Sequence, residues 1–192
     1  MRNFWRRPDC GRAAGGFKER RPESVEERKT CVELIEAACV NDALAEMAAL
    51  FRVELRACKG IASRPNVEAG REEIQEYLAA KFPVFAAVVD GGYVGYMVCR
   101  VDGGTVWVES LFVREKYRRR GIASALHQKA EEIAASFGED TVYNYVHPNN
   151  HGMIAFLRKR GYTVLNLIEI RKPWQGEKLT QVIRVGEHAF DY

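Results

Sequence analysis

The sequence predicts an α/β (α+β) domain: a mixed, mostly antiparallel central sheet with helices on its faces. Three observations carry this. Two amphipathic helical periods fill the stretch that ends at Phe82. Residues 84–113 then turn to β-branched and aromatic side chains, in three runs divided by glycines. Beyond Val113 a basic loop and a helix follow, and strand and helix patterns alternate to the end.

Residues 24–40 fit two patterns. Val25, Arg28, Val32, Ile35 and Cys39 could line a helix, while Val32 to Ile35 could form a short strand. Asp42 can cap a helix that carries Leu44, Met47, Leu50, Phe51 and Leu55 on one side. Gly60 to Asn66, with Pro65, is a loop. A second helix is predicted from Val67 to Phe82, with Ile74, Tyr77 and Leu78 as its apolar stripe. Val84–Val89, Tyr93–Val101 and Thr105–Val113 are three strands of an antiparallel meander. Gly91-Gly92 and Asp102-Gly103-Gly104 separate them, and glycine there supplies the positive φ of tight hairpins. After the loop Arg114–Arg120, an amphipathic helix runs from about Gly121 to Phe137. Thr141–Val146 is predicted as a strand, and Asn150–Arg160 as a short helix ended by Gly161. Tyr162–Arg171 is predicted as another strand, with a last one near Thr180–Val185.

The chain has 192 residues, 47% hydrophobic and 29% charged. That suits one well-packed soluble domain and argues against a disordered chain, a coiled coil or a disulfide scaffold. The net charge of +3 is unevenly placed. Residues 1–30 carry nine basic and five acidic side chains, and residues 31–192 carry 20 and 21. We therefore read 1–30 as a basic, flexible extension and 31–192 as the domain. A neutral body gives no case for nucleic acid from charge alone. Five scattered cysteines without a CxxC pair suit a reducing cytoplasm. No apolar run approaches a membrane span, and no secretory signal is evident, so a cytoplasmic protein is expected.

The most informative segment runs from Val113 to Ser124. A strand ends, a loop with five basic residues and one acid follows, and a helix begins at Gly121-Ile122-Ala123. Free backbone N–H groups and the positive end of the helix dipole converge there, which suits a pyrophosphate. Gly121 lets a ligand approach the backbone, and Ala123 keeps the next position clear. The pattern is neither GxxxxGK[ST] nor GxGxxG, which disfavours nucleoside triphosphates and dinucleotides.

The run Arg118-x-x-Gly121-x-Ala123, after Leu111-Phe112-Val113, resembles the acyl-CoA signature of the GNAT superfamily of N-acetyltransferases. A second signature is similar too: Asn150 stands eleven residues before Gly161-Tyr162, with Ile154-Ala155-Phe156 between. The resemblance covers about residues 31–172 and implies that Val32–Ala37 is the first strand. It implies acetyl-CoA as cosubstrate and an amine as acceptor. It also implies a fourth and fifth strand that splay apart around the pantetheine arm. By the same resemblance, the main chain of Leu111, Phe112 and Val113 would bind pantetheine. Arg118 belongs to the signature, and Arg119, Arg120, Gly121, Ile122, Ala123 and Ser124 would hold the pyrophosphate. Asn150 would contact the arm from the other side, and Lys116 or Arg158 would meet the 3′-phosphate. A homodimer through the final strands is compatible with the family.

Acetyl transfer to a lysine-like amine needs the neutral amine, which costs roughly 4.6 kcal/mol at pH 7. A carboxylate acting through water can take that proton. Glu109 is the candidate: it interrupts an apolar strand, with the parity of Leu111 and Val113. If the loop 102–104 closes the hairpin, Val101 pairs with Thr105 and Met97 faces Glu109. Cys99 and Gly95 are then its diagonal neighbours, so no ion-pair partner within the hairpin is expected. A glutamate at this spacing also resembles the diamine acetyltransferase branch. Many relatives place a tyrosine, as general acid, where this chain has Leu157. Tyr145, on one strand face with Tyr143 and His147 by parity, is the candidate acid. Leu157 also supports an alternative, a non-catalytic acyl-CoA-binding module. His147 and His151 lack a third partner for zinc. The acceptor pocket is expected between the loop Cys58–Asn66, the end of the fifth strand and the C-terminal tail.

Overall fold

Two tight turns set the centre of the sheet. Asp90 and Gly91 both have positive φ, as do Gly103 and Gly104, the conformation that two-residue hairpin turns require. The first joins β2 (Val84–Val89) to β3 (Gly92–Asp102), and the second joins β3 to β4 (Thr105–Val113). A computed structural model of the chain describes residues 32–192. The basic extension 1–30 of the sequence reading, with Cys10, and also Cys31, lie outside the described residues.

The main sheet runs β1-β2-β3-β4-β5, with β1 at Glu33–Glu36 and β5 at Tyr143–Asn144. All neighbours are antiparallel except the pair β4 and β5, which is parallel. Helices α1 (Asp42–Cys58) and α2 (Val67–Ala79) cover one face. There Leu44, Met47, Ala48 and Ile74 bury Val84, Ala86, Tyr96, Val98 and Phe112. Helix α3 (Ile122–Ser136) covers the other, setting Ile122, Leu126, Ala130 and Ala134 on Val94, Met97, Val106, Val108 and Val113. The expected architecture, with helices on both faces, is therefore present. Helices α1 and α2 touch backbone to backbone: a Cβ added at Gly70 would meet the Ala45 carbonyl oxygen at 2.3 Å.

Several boundaries differ from expectation. Asn41, not Asp42, caps α1, its Oδ1 accepting the Leu44 N–H at 2.9 Å. Helix α2 starts on a cap by Asn66 and stops three residues early. The predicted strand Thr141–Val146 keeps only the two residues of β5. The predicted strand Tyr162–Arg171 is absent: these residues form no ladder. Its apolar residues come in adjacent pairs, Val164-Leu165 and Leu167-Ile168, so alternation cannot put them on one face. The adjoining strand offers only two rungs. All four are exposed, Val164 at 87%. The last predicted strand forms as β6 (Val182–Val185), which pairs with β7 (His188–Asp191) in a separate two-stranded sheet.

Candidate active site

The basic loop folds as a single 3-10 turn, Glu115–Tyr117, followed by Arg118 in an extended conformation. Arg119 and Gly121 then both adopt positive φ. The first backbone donor of the helix that follows is Ala125, bonded to the Gly121 carbonyl. Among the described residues no group accepts from the amides of Arg119 to Ser124. Free amides beside the positive end of a helix dipole are the groups that can form an anion seat. A Cβ at Gly121 would meet nothing within 4 Å, so the approach to the backbone there is open.

The loop's charge is arranged differently from the sequence expectation. Arg114 is tied to Glu46 on α1 through two contacts, Nη1–Oε1 at 3.3 Å and Nη2–Oε2 at 2.6 Å. Arg118 donates from Nε to the Val113 carbonyl at 2.8 Å and from Nη2 to Glu54. Its side chain therefore braces the loop against α1. Arg120 and Lys116 both lie over the Tyr117 ring, at 5.5 and 5.1 Å.

Beside the loop, the sheet opens. The β4–β5 ladder consists of Trp107 opposite Tyr143 and Val108 opposite Asn144. From Ser110 to Val113, β4 pairs with β3 on one side only, so the main chain of Leu111, Phe112 and Val113 borders a gap. Asn150 caps α4 (His151–Lys159), its Oδ1 accepting the Met153 N–H at 3.1 Å. The oxygen of this predicted ligand is thus committed to the helix, and no described residue accepts from its Nδ2.

Glu109 lies where the β3–β4 register breaks: Val108 faces Cys99, Ser110 faces Val98, and Glu109 faces no residue. This is a β-bulge, a device that re-aims a side chain. The expectation that Met97 faces Glu109 fails, because the turn has two residues and Asp102 pairs with Thr105. The one-residue slip brings Arg100 to the face of Glu109. Arg100 Nε donates to Glu109 Oε1 at 2.7 Å, so the hairpin does hold an ion-pair partner. The same guanidinium lies 4.1 Å from the centre of the Trp107 ring and donates from Nη2 to the Tyr145 hydroxyl at 3.4 Å. The bond to Glu109 raises the pKa of Arg100 further. The two predicted catalytic residues therefore meet through a third. Tyr145 follows the two residues of β5 and is 60% exposed.

A cavity opens between the end of α1, this gap and the residues after Tyr162. Trp107, Glu109, Tyr145 and His147 line it, as do Lys59 and Ile61 of the expected acceptor loop. His147 is engaged by Tyr192, whose hydroxyl lies 2.7 Å from Nδ1 and accepts the Asn149 N–H at 3.3 Å. Asn149 Nδ2 donates to the Cys58 carbonyl at 3.0 Å. Burial, and then the charge of Lys59, lower the pKa of His147. Among the described residues no three His, Cys, Asp or Glu side chains cluster to hold a metal.

Two groups escaped the sequence reading altogether. Arg100 was hidden by the turn, although the Gly103-Gly104 pair signals a two-residue hairpin. His127 is fully buried, with Nε2 3.2 Å from the Asn144 Oδ1. Asn144 Nδ2 donates to the Val142 carbonyl at 3.3 Å, which leaves its oxygen to accept from a proton on His127 Nε2. Burial lowers the His127 pKa. A lone histidine in a helical period gives no signal of this.

Comparison with known proteins completes the description. Residues 31–162 match the family described as Acetyltransferase (GNAT) family. An N-alpha-acetyltransferase of Sulfurisphaera tokodaii is 31% identical over 110 residues, covering 50% of this chain and 64% of that one. One from Saccharolobus solfataricus is 26% identical over 111 residues, covering 51% and 65%. The matches thus span a little under two thirds of those relatives. Among solved structures, PaiA N-acetyltransferase from Thermoplasma acidophilum in complex with coenzyme A is 20% identical. It covers 68% of this chain and 88% of its own, with a TM-score of 0.57. AAC(6')-Iy in complex with a bisubstrate analog, CoA-S-monomethyl-acetylneamine, is 20% identical, covering 76% and 100%, with a TM-score of 0.56.

Proposed function

Because the chain belongs to the GNAT acetyltransferase family, we propose that it moves an acetyl group from acetyl-CoA to a primary amine through a direct ternary complex. The observation that carries this is the anion seat of six uncommitted amides beside a gap that leads to Glu109. The seat fits a pyrophosphate: its donors are main-chain, and Gly121 leaves the approach clear. In this reading Arg119 to Ser124 hold the pyrophosphate, and the β4 edge from Leu111 to Val113 aligns the pantetheine. The Asn150 Nδ2 faces the same arm. Bound acetyl-CoA supplies a thioester, an activated acetyl donor.

Glu109 takes the proton of the acceptor amine, directly or through one water. It is 22% exposed as a side chain, which leaves it reachable from the cavity. Tyr145 presents a hydroxyl to the same place and is our candidate for returning a proton to the leaving thiolate. The amine is a protein amino group, as the names of the two archaeal relatives suggest, or a small molecule, as in AAC(6')-Iy.

A second reading, a non-catalytic acyl-CoA-binding module, draws on Leu157, which is buried where many relatives place a tyrosine. One experiment separates the two. CoA release and product mass are followed with acetyl-CoA and a panel of amines. Transfer to at least one amine is expected, and Glu109→Gln should flatten the rising limb of the pH–rate profile while acetyl-CoA affinity holds. Tight CoA binding with no transfer to any amine favours the module. An unchanged pH profile removes Glu109 from the role.

A further inference from the structure

Two pairs between arginine and glutamate in this protein close with both ends of the fork. Arg114 meets Glu46 through two contacts, and Arg171 meets Glu177 through Nη1–Oε2 at 2.8 Å and Nη2–Oε1 at 2.6 Å. As Arg52 and Glu73 do, Arg100 and Glu109 close through a single contact. Their contact is Nε to Oε1 alone, and no described residue donates to Glu109 Oε2 or accepts from Arg100 Nη1. Nη2 reaches only the Tyr145 hydroxyl, at 3.4 Å. A guanidinium has five N–H donors and no acceptor, so most of this one is uncommitted. It is also held still, by its stack on Trp107 and its Nε bond. The side chain is 29% exposed, neither buried in the sheet nor free in water. Three residues that it touches, Trp107, Glu109 and Tyr145, line the cavity.

A carboxylate with a free oxygen therefore lines the cavity, and a free guanidinium edge stands directly beside it, next to the lining residues. That pairing complements a ligand that carries a cation and an anion close together. The planar Nη edge suits a carboxylate. Its fixed charge disfavours an acceptor that brings a second cation.

Resting on the transfer reading above, we propose that Arg100 selects acceptors: it binds a carboxylate next to the reacting amine and turns away polycationic amines. The carboxylate comes from the α-carboxyl of a free amino acid or from an acidic side chain at the start of a peptide.

The test uses the purified full chain with four acceptors. These are an alanyl-glutamyl peptide, the matched alanyl-lysyl peptide, free alanine and an aminoglycoside. We expect kcat/KM for the preferred acid-bearing acceptor to exceed that for the lysyl peptide and the aminoglycoside by about tenfold or more. Preference for the glutamyl peptide or for free alanine identifies the source of the carboxylate. Arg100→Gln should erase the preference with acetyl-CoA affinity unchanged, and Arg100→Glu should shift it toward the lysyl peptide and the aminoglycoside. An equal loss on all four acceptors would make Arg100 a brace of the hairpin and overturn the proposal. Binding of the two peptides and of free alanine in the presence of CoA, followed by calorimetry, reads selection without turnover. If nothing is acetylated but the glutamyl peptide still binds more tightly through Arg100, the transfer reading fails and selection stands. Binding of neither the glutamyl peptide nor free alanine more tightly than the lysyl peptide would overturn selection by itself.

Discussion

Arg100 and Glu109 meet at 2.7 Å across the β3–β4 hairpin, on the same face as Trp107. Two local features produce the contact. The Gly103-Gly104 turn fixes Asp102 opposite Thr105, and the bulge takes Glu109 out of the ladder. A backbone choice at a turn thus sets the electrostatics of a site several residues away.

Gly121 sits at φ +82 with open space around its missing Cβ. Alanine there meets no clash, only the left-handed backbone, so Gly121→Ala should cost about 1 kcal/mol in urea unfolding. Its methyl group would project toward the anion seat, and acetyl-CoA affinity measured by calorimetry should fall about tenfold. Unchanged affinity would place the phosphates elsewhere.

Gly70→Ala has the opposite character. Its Cβ would lie 2.3 Å from the Ala45 carbonyl oxygen and 2.9 Å from the Ala49 nitrogen, both backbone atoms. The helices α1 and α2 must separate, at a cost of about 1–3 kcal/mol. Denaturant unfolding measures it, and a neutral result would mean that the two helices slide apart freely.

Stability should fall as pH drops below the ordinary histidine pKa of about 6.5. Burial lowers the His127 pKa in the fold, so in this window the unfolded chain takes up a proton that the fold refuses. The groups facing the ring are Glu131 on its own helix, Asn144 on β5, and Tyr162 and Arg160 after α4. The Glu131 carboxyl is itself held low: burial opposes this, but Tyr162 and Arg160 outweigh it, so its effect belongs to more acid pH. His147 shifts in the same direction as His127, so the comparison must be with His127→Gln. Each unit of depression accounts for about 1.4 kcal/mol, and the variant should lose less stability between about pH 7 and about pH 5. Parallel curves would show that His127 titrates normally.

Tyr192→Phe removes the hydroxyl that bonds His147 and Asn149. A loss of about 1 kcal/mol is expected, with faster amide exchange across Val182–Asp191. If exchange is unchanged, the hydroxyl does not hold that hairpin.

The meander from Val84 to Val113 was legible because runs of β-branched residues and glycine punctuation agree. So was the order of strand end, basic loop and helix start from Val113 to Ile122, because the three are contiguous. What failed was non-local or differed by one residue. Asn41 and Asp42 are adjacent and equally good caps, and only geometry chooses between them. Counting three turn residues instead of two hid Arg100. Nothing local announces that Tyr192 reaches His147, because a hairpin must fold back to bring them together. The stretch Tyr162–Arg171 has the composition of a strand, yet composition does not supply a neighbouring edge.

The commitment of Arg114 and Arg118 to glutamates on α1 bears on how ionic strength acts on this protein. Exposed point charges lose their pull over a Debye length of about 8 Å at physiological salt. Main-chain dipoles fixed at contact distance around a ligand are screened far less. Cosubstrate affinity should therefore change little with added salt, and less than a loop of five basic residues suggests. Two of the loop's four arginines, Arg114 and Arg118, hold its shape in place.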